Sequence, residues 1–144
     1  IVLIRKPKDA ILSMLIRNPK ITLKQAVFRY EGFYKIALKY KKSIIIAEFN
    51  TLISDFNKII KDVNLRFNLN LNEFDNSNEN IEKCKVIVRE MDMIDRQAAV
   101  IDKLMVSVPT IEKGAKKKQL LSQLKTDKIF FEAELLYDKL VNES

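Results

Sequence analysis

The chain opens on Ile1-Val2-Leu3-Ile4, an unbroken apolar run rich in β-branched residues. That is the pattern of a short strand covered on both faces, as in a parallel sheet. Beyond Arg5-Lys6, apolar residues return at Ile11, Leu12, Leu15 and Ile16 with helical spacing. Pro7 suits the first position of that helix, because the N–H it lacks has no intrahelical partner there anyway. Asp9 complements the positive end of the helix dipole, and Asn18-Pro19 marks the stop. A second helix is announced by Thr22 and Gln25, a hydroxyl and an amide three residues apart, as in a capping box. Behind them Leu23, Ala26, Val27, Tyr30, Phe33, Tyr34, Ala37 and Leu38 fall on one stripe of period 3.6. Tyr40-Lys41-Lys42 closes it with positive charge.

A second strand is predicted over Ser43 to Ala47 from Ile44-Ile45-Ile46, followed by a polar connection, Asn50 to Ser54. Phe56, Ile59, Ile60, Val63 and Phe67 then predict a helix. Strand, helix, helix, strand, helix is α/β grammar and requires a parallel sheet. Two strands are too few for such a sheet, so further strands are expected from elsewhere. Residues 68–78 are Asn-rich and read as loop, and Ile81, Cys84, Ile87, Val88 and Met91 predict a helix over roughly 79–92. Residues 95–108 show no single period. Residues 110–142 read as one long helix, or two joined near Thr126-Asp127. No internal repeat is present.

Composition narrows the classes. With 144 residues, 47% of them apolar, 2 Gly, 3 Pro and 1 Cys, the chain is neither collagen-like, nor low-complexity, nor a disulfide scaffold. Cys84 has no second cysteine to pair with, which suits a reducing, cytoplasmic setting. No apolar stretch reaches the ~18 residues needed to cross a bilayer. There is no His, which removes the commonest general base and the commonest metal ligand. Lys and Arg exceed Asp and Glu by 26 to 19, giving +7. That excess suits a polyanionic ligand, although the wealth of Ile, Lys and Asn also fits an AT-rich coding sequence. The start inside an apolar run, without Met, leads us to expect the later part of a longer protein.

The segment with chemistry is Arg5-Lys6-Pro7-Lys8-Asp9-Ala10-Ile11-Leu12-Ser13. Arg5 stands at the carboxyl end of the first strand, the edge at which open α/β sheets bind ligands. Ser13 lies on the following helix, where side chains lean toward the N-terminus and so toward Arg5. A guanidinium fork, a hydroxyl and a helix N-terminus form a phosphate cradle. The alternative is a solvated Arg5 and a Ser13 bonded to its own helix, and spacing alone does not separate the two.

The stretch IVLIRKPKDAILS resembles the 3′-phosphate-binding motif of the P-loop sulfotransferases. These enzymes take their sulfuryl group from 3′-phosphoadenosine-5′-phosphosulfate (PAPS). The family pattern is a hydrophobic strand, Arg-x-Pro-x-Asp, and a Ser eight residues after the Arg, matched here by Arg5, Pro7, Asp9 and Ser13. Weaker likenesses run through Arg29 to Phe49, Asp55 to Phe67, Val108-Pro109-Thr110 and the tail from Glu132 to Leu140. The resemblance implies that Arg5 and Ser13 hold the donor's 3′-phosphate. It implies a partial three-layer P-loop NTPase-like sheet with flanking helices over 1–67, and a mostly helical part over 68–144, within one domain. The implied reaction moves a sulfuryl group to an acceptor hydroxyl or amine and releases 3′,5′-adenosine bisphosphate (PAP).

The family's Gly-rich loop and its acceptor-activating base have no counterpart here, since in the family both lie upstream. No catalytic residue and no metal ligand is therefore assigned, and this portion alone is expected to be inactive. The Arg-Lys-Gly of one branch is loosely echoed by Glu112-Lys113-Gly114, which makes Lys113 a third donor-site candidate, ahead of Lys116 to Lys118.

Other residues carry plainer expectations. Glu48 ends the second strand and serves either the acceptor side or the following loop. Cys84, Tyr30 and Tyr34 are expected in the core, and Lys116-Lys117-Lys118 on a solvated face rather than on nucleic acid. Two alternative functions stand beside the first: another P-loop nucleotide-binding or phosphoryl-transfer enzyme, and a non-enzymatic basic helical module.

Overall fold

The computed structural model describes residues 1–97, 102–123 and 128–142. The elements in order are β1 (Val2–Ile4), α1 (Pro7–Arg17), α2 (Leu23–Lys39), β2 (Ile46–Glu48), α3 (Phe49–Ser54), α4 (Phe56–Phe67), α5 (Asn78–Arg96), α6 (Ile111–Gln123) and α7 (Phe131–Val141). The fold is α/β with helix dominant. Its described sheet is β1 beside β2, parallel, in the register Val2↔Ile46, Leu3↔Ala47 and Ile4↔Glu48. The joint expected near Thr126-Asp127 lies outside the described residues, while α6 and α7 stand as separate helices on either side of it.

The chain forms two compact units. The first comprises Ile1–Ile11, Leu23–Phe74 and Thr126–Ser144, and the second Leu12–Thr22 and Asp75–Lys125. Helix α1 begins in the first and ends in the second.

In the first unit α2 packs against α7, and β2 against both α3 and α7. Ile4, Ile11, Phe130 and Leu140 are fully buried there. Ala47, Ile59 and Val63 form a second cluster, flanked by Ile45, Leu52 and Phe56. That cluster explains the helix α3, where a polar connection was expected. Leu52 gains burial by helical winding, and packing overrides the modest propensity of Asn50 and Thr51. Glu48, extended at φ −73° and ψ 137°, is the residue from which α3 departs. Strand β2 is accordingly later and shorter than predicted: Lys41–Ser43 winds into a 3-10 turn, and Ile44 is extended but lies outside the ladder.

Helix α4 has the predicted bounds, and its ends show why. The Asp55 carboxylate caps it, accepting from the Lys58 N–H at 3.2 Å. Asn68 closes it in the left-handed conformation at φ 50°, one of the few non-glycine residues that tolerates it. The Asn-rich loop that follows is held by side chains that imitate a strand. The Asn64 amide exchanges both bonds with Leu71 at 2.9 Å, and the Asn57 amide does the same with Phe74 at 3.1 and 2.7 Å.

In the second unit α5 runs four residues past the predicted end, and its burial corrects one expectation. Cys84 is exposed, not core. Ile87 and Met91 on the same stripe are also exposed, whereas Asp92 is buried. The Asp92 carboxylate accepts from the Ser107 hydroxyl at 2.6 Å, from the Ser107 N–H, and from the Arg17 guanidinium at 3.2 Å. This polar anchor, not the apolar period, decides which face of α5 turns inward. Among the described residues no helix is long and apolar enough to cross a membrane.

Candidate functional site

Parallel pairing of Ile4 with Glu48 ends both strands at the same level. The next residues, Arg5 and Phe49, therefore emerge side by side at the carboxyl edge, where α/β sheets place ligands. The Arg5 guanidinium lies over the Phe49 ring, 4.3 Å from its centroid. The face of an aromatic ring attracts a cationic side chain in this way and holds it in place. Arg5, Lys6, Asp9, Glu48, Phe49 and Tyr137 line a small cleft at this edge.

Two further contacts fix the cleft. The Arg5 carbonyl accepts from the Tyr30 hydroxyl at 2.9 Å, and the Leu3 carbonyl from the Tyr34 hydroxyl at 2.8 Å. The two rings pack tilted, 4.5 Å apart, and both tyrosines are buried as expected. Burial pushes both hydroxyls above the usual phenol range, so they remain donors at every ordinary pH. On the other wall the Tyr137 hydroxyl donates to the Glu48 carboxylate. Burial first, and then the carboxylate itself, drive that hydroxyl upward. Glu48 is thus tied to α7 and not, as one of its expected roles had it, to the segment that follows, whose helix α3 it precedes without a side-chain cap.

Arg5 belongs to the first unit, while Ser13 and Lys113 belong to the second. Ser13 is half-buried on the second turn of α1, the helix that starts two residues after Arg5. Lys113 is buried near the start of α6, and its ammonium donates to the Val108 carbonyl at 3.3 Å. Its N–H bonds the Thr110 hydroxyl at 3.2 Å, which makes Thr110 the side-chain cap of α6. Lys116, by contrast, reaches the Gln119 amide at 3.0 Å along its own helix.

Phe49 and Tyr137 are site residues that the sequence did not single out. An aromatic directly after Glu48 at a strand end was a usable signal for Phe49. Tyr137 had none, since it meets Glu48 across 89 residues. Among the described residues no cluster of three or more His, Cys, Asp or Glu is placed to hold a metal ion. Comparisons with protein-family models, with curated proteins and with solved structures found no match to this chain.

Proposed function

We propose that this chain supplies the 3′-phosphate site of a sulfotransferase that uses PAPS, with β1 and β2 as two strands of a larger P-loop NTPase-like sheet. One observation supports the reading most: Arg5 of the Arg-x-Pro-x-Asp…Ser pattern stands immediately past the carboxyl end of a parallel strand, braced on Phe49. In the reaction the acceptor oxygen or nitrogen bonds the sulfur as the sulfur–oxygen bond to the 5′-phosphate breaks. The acceptor loses its proton to a base, and PAP departs. Transfer of this kind depends on positioning and charge stabilisation. Arg5 and Ser13 position the donor through its 3′-phosphate and take no part in bond making. Lys113 is the third donor-site candidate, although its bond to Val108 gives it a structural use already.

Charge-assisted contacts of this sort contribute about 1.5–3 kcal/mol each. Arg5→Ala in the intact protein is therefore expected to weaken PAP binding by roughly 10- to 150-fold in calorimetry. Ser13→Ala is expected to weaken it by about tenfold. Unchanged PAP affinity in Arg5→Ala would remove the assignment. Tight ATP binding, indifferent to Arg5, would favour a phosphoryl-transfer enzyme instead.

A further inference from the structure

Tyr30 and Tyr34 are buried in the first unit, yet each carries a hydroxyl, and both hydroxyls are spent on the outer edge of β1. Within β1, Val2 and Ile4 bond β2, with the Val2 N–H reaching the Ile45 carbonyl at 2.8 Å. Leu3 and Arg5 therefore turn their main-chain groups outward. The Leu3 carbonyl accepts from Tyr34 at 2.8 Å and the Arg5 carbonyl from Tyr30 at 2.9 Å. The Arg5 main chain also bonds the Tyr34 hydroxyl.

Helix α1 takes over one residue later, where the Lys6 carbonyl accepts from the Ala10 N–H at 3.0 Å. Arg5 thus stands between ladder and helix, and neither of those elements offers its carbonyl a partner. Tyr30 is that partner. The bond fixes the peptide plane that Arg5 shares with Lys6, and with it the direction in which the Arg5 side chain leaves the backbone. The two tyrosines are themselves firmly held: their rings lie 4.5 Å apart, and Phe33 stands edge-on to Tyr34 at 5.0 Å.

We propose that Tyr30, supported by Tyr34, is a positioning residue of the donor site, its hydroxyl aiming Arg5 so that the guanidinium is oriented before a 3′-phosphate arrives. The inference rests on the reading of Arg5 as a 3′-phosphate ligand. Tyr30 acts only through Arg5 and is assigned no contact with donor or acceptor. Phe49 restrains the other end of the same side chain, the guanidinium lying 4.3 Å from its ring centroid. Arg5 is therefore held at backbone and tip, and a group held in advance loses less freedom on binding. The bias that one hydrogen bond imposes cannot exceed its own net contribution, which sets the size of the effect. Because it works through the 3′-phosphate, it favours PAP over ADP and does not raise nucleotide affinity in general.

The test is a double-mutant cycle in the intact protein. PAP and ADP are titrated calorimetrically into the wild type, Tyr30→Phe, Arg5→Ala and the double variant. Tyr30→Phe keeps the buried ring and removes only the hydroxyl. It is expected to weaken PAP binding roughly 3- to 10-fold and to leave ADP binding unaltered. In the Arg5→Ala background the same substitution is expected to leave PAP affinity unchanged, since no guanidinium remains to be aimed. A fall in melting temperature is expected in both backgrounds, because the lost bond is to main chain. Tyr34→Phe is the second variant, expected to act in the same direction with a smaller loss, and it serves should Tyr30→Phe fail to fold. Unchanged PAP affinity in Tyr30→Phe would contradict the proposal. So would an equal loss in both backgrounds, or an equal loss for ADP, either of which would leave the tyrosines a structural use alone. If Arg5→Ala by itself left PAP affinity unchanged, the donor-site reading would fall first, and Tyr30 would have nothing to act through.

Discussion

Asp92 shows how one side chain can decide the packing of a helix. Burial by itself raises its carboxyl, but the Ser107 hydroxyl and N–H, with Arg17 and Arg96, outweigh that and hold it below its ordinary value of 3.8. The sign of the linkage follows. The unfolded chain takes up a proton near pH 4 while folded Asp92 stays ionised, so its stabilisation is present above that range. It is lost as pH falls through the lower folded value. Urea unfolding monitored between pH 6 and pH 2 is expected to show this loss. Asp92→Asn is expected to flatten it and to destabilise the protein by about 1–3 kcal/mol at pH 7, because Arg17 and Ser107 lose a charged acceptor. An unaltered pH profile in Asp92→Asn would mean that other carboxylates dominate the acid limb.

At the scale of elements, legibility depended on how local the cause was. Strand β1 and helices α1, α2 and α4 were readable because their signals lie within or beside them: the Ile1–Ile4 run, Pro7, the Thr22 start, and the apolar stripe from Phe56 to Phe67. Helix α3 was not, since its winding depends on Leu52 finding the Ile59–Val63 cluster. The inward face of α5 was misread because Ser107 and Arg17, distant in sequence, select Asp92 over Cys84. The donor site divides in the same way. Arg5 was legible from its strand-end position, but its brace on Phe49 depends on strand register and the Glu48–Tyr137 tie on the return of α7. The loop after α4 gives an element-scale prediction. Asn57→Ala removes two bonds to Phe74 and undercuts the Phe56–Phe74 edge contact at 5.8 Å. About 1–2 kcal/mol of stability is expected to go with them, and proteolysis within residues 69–76 is expected to quicken. No change in cleavage rate would mean the loop is held by other contacts.

At the scale of the whole molecule, a +7 chain attracts nucleotides of every kind, so affinity alone does not identify a donor site. What separates the proposed site from general attraction is where the phosphate sits on the ribose. PAP and ADP each carry two phosphates on one adenosine, and only PAP places one at the 3′ position that Arg5 and Ser13 are proposed to hold. Calorimetric titration of both nucleotides into the intact protein and its Arg5→Ala variant is therefore the most direct measurement. PAP is expected to bind at least tenfold tighter than ADP, with the advantage erased in Arg5→Ala and ADP binding left unaltered. Equal affinity for the two nucleotides, or a PAP preference that persists without Arg5, would contradict the account.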